Sequence, residues 1–345
     1  MKKASLKTIA EDVGVTVSTV SRILRNDPTC YIKAERREAI LAAAKRHNYS
    51  PNIIARNLAL GKTFNVAFVV RRFEHFQRWG PLLWMAIDGL QDGLRSAGYS
   101  CSLVTISSED DLRKLAGSSS LYDGLVIGRG VVSAEGLRLL EEAGMPFAFL
   151  NDNAPHLSEH PRTFIDKQSG ARELVSYLLG LGHKKIAIFG SGWNADMLAG
   201  AFEQAGMSIG AGSRFPLDAE NIHTLALRAF AESDALVGSL SSHSAVCCAN
   251  DYIALGLCER LKRLNIAVGS DIAVTGYDNL ETLTCADESE RIITTVDNPQ
   301  ARVGLECAGL LLRLIGAGKE TPEDGLVTVP ARLIIRRSTS GAVQT

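Results

Sequence analysis

Apolar residues recur at helical spacing through the first 48 residues of the chain. Leu6, Ile9, Ala10 and Val13 share one face of a short helix that Ser5 or Thr8 can cap, with Glu11 as the capping-box partner of Thr8. Gly14 ends it. Thr16 then caps a second helix, whose buried stripe is Val20, Ile23 and Leu24. A third helix, from about Ile32 to His47, buries Ile40, Leu41 and Ala44. The pattern breaks at Pro51, and "IIARNLALGKT" resumes weakly before a glycine.

From Phe64 the rhythm changes. Short apolar runs ("NVAFVV", "CSLVTI", "GLVIG", "FAFLN") alternate with helical stretches, and the cycle restarts through "FID", "KIAIFG", "AVCCAN" and "DIAVTGYD". A β-α series repeated about twice predicts two parallel sheets with helices on both faces, that is, two doubly wound α/β lobes. "TTV", a helix over Ala301–Leu314 and "LVTVPARLIIRR" complete the pattern. The predicted organisation is a helical head over 1–48, a linker over 49–63 and a two-lobed body over 64–339. The first lobe takes about 64–162 and 292–322, the second about 163–291 and 323–339.

Charge divides along the same line. Residues 1–62 hold twelve Lys and Arg against five Asp and Glu, a balance of +7 in a chain whose net charge is −1. A basic head on an acidic body points to a polyanionic partner for the head. The seven cysteines are scattered without a CxxC pair, which supports neither a disulfide framework nor a zinc ribbon. No apolar run reaches the roughly 18 residues of a membrane span, and no signal-peptide core follows the N-terminal lysines. The expectation is a soluble, cytoplasmic protein with no membrane partner.

Two short helices meeting at Gly14 form a helix-turn-helix pattern, whose second helix lies in the DNA major groove. The outward residues suit that task. Arg22 can donate twice to a guanine edge, Ser18 can serve either base type, and Val17 can touch a thymine methyl. Thr16, Thr19 and Ser21 suit phosphate oxygens near a helix N-terminus. An amphipathic hairpin with a polar outer face is the plainer alternative.

"LKTIAEDVGVTVSTVSRIL" followed by "AAAKRHNYSPNIIARNLALGKT" closely resembles the DNA-binding head and hinge of the lactose-repressor (LacI/GalR) family of bacterial regulators. "DGLVIG", "LGHKKIAIFG", "ANDYIALG", "DIAVTGYDN" and "ARLIIRRST" follow in family order, so the resemblance runs from about Leu6 to Thr339. It implies a homodimer on a pseudo-palindromic operator of double-stranded DNA, with no cofactor. It also implies a hinge helix in which Leu58, flanked by Arg56, wedges into the minor groove. The body would resemble a periplasmic sugar-binding protein, with a small effector, a sugar or sugar derivative, between its lobes. Asn250 and Asp278 match positions that grip ligand hydroxyls or ring nitrogens, and Asn151 and Asp166 are carried over beside them. Each also suits a turn or a helix cap.

The chain departs from the family where Met197 stands in "MLAG" in place of a ligand-facing arginine. Arg71, Arg72 and Arg129 fall at predicted strand ends of the first lobe, where they can converge on a carboxylate or phosphate or serve as solvated rim residues. Trp79 in the nearby loop supplies an aromatic platform or simply covers the lobe. The function implied is a DNA-binding repressor under effector control, not an enzyme. Rival readings are a regulator without small-molecule response and, distantly, a dinucleotide enzyme suggested by "GSGWNA".

Overall fold

A computed structural model describes residues 5–24, 27, 29–49, 57, 60–71, 76–217, 224–316 and 325–340, without the side chains of 76–79. The chain divides into two compact units, Met1–Thr63 and Phe64–Thr345.

The first unit holds α1 (Leu6–Val13), α2 (Val17–Leu24) and α3 (Ala34–Arg46). Ser5 caps α1: its Oγ accepts from the Thr8 N–H at 3.2 Å, and the Thr8 hydroxyl completes the box. Glu11 instead faces Lys7 at 3.9 Å one turn away, too far along the helix to reach back to the cap. Gly14 closes α1 in the left-handed region at φ 67°, which lets the chain turn directly into α2. Ile9, Val20, Ile23, Ile40 and Ala43 make the core of this unit. Leu41 is 47 % exposed rather than buried, because Ile40, Ala43 and Ala44 occupy the inner face of α3. Asp12 accepts from Arg46 at 2.8 Å and lies 3.0 Å from His47, tying α1 to the end of α3.

In the second unit, β1 (Asn65–Arg71), β2 (Ser100–Ile106), β3 (Gly124–Gly128), β4 (Phe147–Leu150), β5 (Arg162–Asp166) and β11 (Leu326–Pro330) form one parallel sheet, ordered β11-β5-β4-β3-β1-β2. The second sheet, ordered β7-β6-β8-β9, takes β6 (Ile186–Phe189), β7 (Arg214–Phe215), β8 (Ala245–Cys248) and β9 (Ala273–Thr275). The two doubly wound lobes expected from the β-α rhythm are present. Their boundary differs from the expected one: β5 and β11 pair with each other in register, Leu326 with Arg162 through Pro330 with Asp166, and β5 adjoins β4. Both strands therefore belong to the first lobe, and the chain crosses to the second only at Lys167. An apolar run signals a strand but not which sheet completes its hydrogen bonds.

The helix α4 (Phe76–Ser96) begins ahead of the expected Leu82 and runs through Pro81, losing one intrahelical hydrogen bond there. It packs against α12 (Gln300–Leu314) over the first sheet. The crossings near the lobe junction are pinned by a two-stranded antiparallel pair, β10 (Thr295–Val296) with β12 (Leu333–Ile334). Between these elements stand α5 (Glu109–Ala116), α6 (Ala134–Ala143), α7 (Lys167–Gly180), α8 (Trp193–Gln204), α9 (Leu225–Ala231), α10 (Asp234–Gly238) and α11 (Asp251–Arg263).

Candidate functional site

The outward face of α2 carries small polar groups and one cation. Val17 and Ser18 are exposed, while Val20 and Ile23 are buried beneath them. Thr16 caps the helix: its Oγ1 accepts from the Thr19 N–H at 3.2 Å and lies 2.9 Å from the Thr19 hydroxyl. Ser21 is half-buried. Arg22 donates through Nε to Asp27 Oδ2 at 2.9 Å and through Nη2 to the Thr29 hydroxyl at 2.8 Å. The Thr29 hydroxyl and N–H, and then Arg22, hold the Asp27 carboxyl down at about 2. The guanidinium is thus fixed in a planar fork at the end of α2, partly exposed and pre-oriented rather than loose. Arg56 and Leu58, the expected hinge contacts, lie outside the described residues.

The body contains a cavity of ≈ 510 Å³ at the carboxyl ends of the first sheet's strands. The sheet order reverses at β1 and β3, and such a switch point opens a crevice between diverging loops. Phe68 and Val70 of β1, Leu82, Leu83 and Ala86 of α4, and Leu150 of β4 make an apolar wall. Arg129 follows β3, Asn151 follows β4, and Gln300 opens α12. Lys167 and Trp193, the first residues of α7 and α8, bring the second lobe to the cavity.

Lys167 is the central charge. Its side chain is 8 % exposed, its Nζ lies 3.5 Å from Asp278 Oδ1, and it stands 5.3 Å above the Trp193 ring centroid. Asp278 is buried at φ 84°. Its Oδ1 also accepts from Asn298 at 2.7 Å and its Oδ2 from Asn194 at 3.2 Å. The carboxylate therefore sits behind Lys167, enclosed by protein donors, and is not among the residues lining the cavity.

Of the other expected effector residues, Arg129 and Asn151 line the cavity. Asn151 accepts from the Ile165 N–H at 3.1 Å through Oδ1. Arg71 does not converge with Arg129: it donates to the Val131 carbonyl at 3.0 Å and pairs with Glu109 at 3.4 Å, because that carboxylate on α5 offers a nearer anion. Asp166 caps α7 by accepting from the Ser169 N–H, and Asn250 caps α11 by accepting from the Ile253 N–H, so both are committed to helix starts. Met197 borders a separate pocket of ≈ 250 Å³, with the Tyr277 hydroxyl 4.0 Å from its sulfur. Arg72 and the side chain of Trp79 lie outside the described residues.

Lys167, Trp193 and Gln300 are cavity residues that pattern reading did not select. Their shared signal is position, since Lys167 and Trp193 open helices that directly follow strands or strand-end loops. The "GSGWNA" glycines have a local explanation. Gly190, at φ 118°, would place a Cβ 2.6 Å from the Ala249 Cβ, so packing against that residue demands glycine without a nucleotide.

A helix-turn-helix unit is thus followed by a two-lobed α/β body with a ligand-sized cavity. Residues 5–52 match the bacterial regulatory proteins of the lacI family, and residues 175–339 match the periplasmic binding protein-like domain. The chain is thus similar to the lacI family in its head and to periplasmic binding proteins in its body. The HTH-type transcriptional repressor PurR of Vibrio vulnificus is 27 % identical over 332 residues, covering 90 % of this chain and 92 % of that one. An HTH-type transcriptional regulator of Lachnoclostridium phytofermentans is 24 % identical, covering 96 % and 98 %. Among solved structures, the Lac repressor dimer bound to operator and the anti-inducer ONPF superposes with a TM-score of 0.69 at 21 % identity, over 98 % of this chain and 100 % of that one. A cellobiose complex of the regulator CelR gives 0.60 at 24 % identity, over 97 % and 99 %. These relatives are transcriptional regulators.

Proposed function

We propose that this protein is a repressor that binds a pseudo-palindromic operator as a homodimer and answers to a small effector, a sugar or sugar derivative, held in the cavity between its lobes. The carrying observation is the helix-turn-helix itself, a lacI-type head whose second helix leaves Val17, Ser18 and Arg22 accessible. In this reading Arg22 and Ser18 read base edges, Val17 meets a thymine methyl, and Thr16, Thr19 and Ser21 bind phosphates. Arg56 and Leu58 act in the minor groove at the centre of the operator. The operator-bound and sugar-bound relatives support the pairing of DNA and effector. In this reading the protein acts on chromosomal DNA in the cytoplasm.

Effector control follows from a cavity whose wall is divided between lobes. A ligand touching both Arg129 of the first lobe and Trp193 of the second favours one lobe arrangement by its differential affinity, and so shifts the population that grips DNA. Titrating labelled operator with full-length protein, with and without candidate sugars, tests the reading. Sequence-specific binding that moves with a sugar supports it, and binding indifferent to sequence refutes it.

A further inference from the structure

The hydrogen-bonding inventory of the cavity is one-sided. Asp278 matches the position expected to grip a hydroxyl, yet its oxygens are taken by Lys167, Asn298 and Asn194. The Asn151 oxygen is taken by the Ile165 N–H. Among the described residues the charged groups that remain toward the cavity are donors, and Gln300, whose Nε2 donates to Asn298 at 3.1 Å, adds a single amide oxygen. The Lys167 ammonium has only the 3.5 Å ion pair among the described residues, although it has three N–H groups to place. Arg129 has no ion pair with any described residue. Among the described residues no carboxylate lines the wall.

A sugar offers each hydroxyl as donor and acceptor together, and a site rich in donors but poor in acceptors leaves half of that capacity unmet. An anion accepts only. The rest of the wall, Phe68, Leu82 and Leu150 with the Trp193 ring, rewards an apolar body. We infer that the effector is a small organic acid with an apolar or aromatic body, its carboxylate or phosphate held between Lys167 and Arg129. This rests on reading the cavity as the effector site, and in place of the sugar of that reading it assigns an anion, selected against neutral polyols. Lys167 then exchanges part of its attraction to Asp278 for the ligand's charge, so the ligand enters an ion pair that already exists.

The test uses full-length protein carrying Trp79→Phe and Trp84→Phe, which leaves Trp193 as the emitter. Benzoate and phenylacetate are titrated against benzamide, phenylacetamide and glucose, while operator affinity is followed by anisotropy. The acids are expected to change Trp193 emission at least about tenfold more tightly than the amides or glucose. Arg129→Gln, at an exposed position, should weaken the acids by about tenfold to a hundredfold. Lys167→Met combined with Asp278→Asn should abolish their binding without a lone buried charge. Glucose or the amides binding as tightly as the acids overturns the inference while leaving an effector cavity in place. So does Arg129→Gln binding the acids as well as the parent, or no acid binding at millimolar concentration. Acids that bind without moving operator affinity support the anion site and refute its regulatory role.

Discussion

Lys167 and Asp278 form an ion pair at 3.5 Å with side chains 8 % and 6 % exposed, at the junction where the chain crosses from one lobe to the other. Asp278 is shut off from bulk water, and Lys167 meets solvent only through the cavity. Removing one partner of such a pair costs about 3–5 kcal/mol, since it strands the other in a low-dielectric site. Asp278→Ala is therefore expected to lower the stability of the body by about that amount in urea. Lys167→Met with Asp278→Asn should recover part of it, because no lone charge is left and the amide oxygen still accepts from one of Asn298 and Asn194. A double variant no more stable than Asp278→Ala would contradict the pairing.

In the head, Arg22 and Asp27 are linked at 2.9 Å, and Thr29 completes the fork. Arg22→Ala should weaken operator binding by about 1–3 kcal/mol and relax preference at one base pair per half-site. Asp27→Ala removes both the clamp and an anion near the DNA. It should raise affinity for unselected DNA and blunt discrimination, which binding selection and anisotropy at fixed salt will report.

Much of this molecule is written in local pattern. Gly14 between two capped apolar stripes, and short runs such as "GLVIG", depend only on near neighbours, so the head and most strands are legible. The cavity is less so. Nothing near Lys167 in sequence reveals Asp278 beside it, and nothing near Arg71 reveals that Glu109 draws it aside. Asp166 and Asn250 illustrate the opposite case, where a strand-end polar residue is taken by the helix it begins. The lobe boundary was hidden for a similar reason: β5 and β11 show their sheet only through a partner far along the chain.

Trp84 is 57 % exposed on α4 and does not line the cavity, whereas Trp193 does. A ligand-dependent emission change should survive Trp84→Phe and disappear in Trp193→Phe. The reverse result would move the ligand away from the start of α8.

Asp251 is wholly buried, accepting from the Leu280 N–H and from the Thr295 hydroxyl, and burial pushes its carboxyl well above its ordinary value of 3.8. Over the interval from 3.8 to the raised value, the folded state keeps a proton that the unfolded chain has released. Stability therefore falls as pH rises through that interval. Asp251→Asn retains an acceptor for Leu280 and a donor for Thr295 without the charge. Thermal melts should show a flatter pH dependence in the variant, and an unchanged slope would place the titration elsewhere.

Sequence-specific DNA recognition by α2 is open to selection from a random duplex library with full-length protein at physiological salt. A pseudo-palindrome with two half-sites should be enriched, and Arg22→Ala should lose preference at one position of each half-site. A library that returns no enriched motif, or the same motif with unchanged preference in Arg22→Ala, would contradict it.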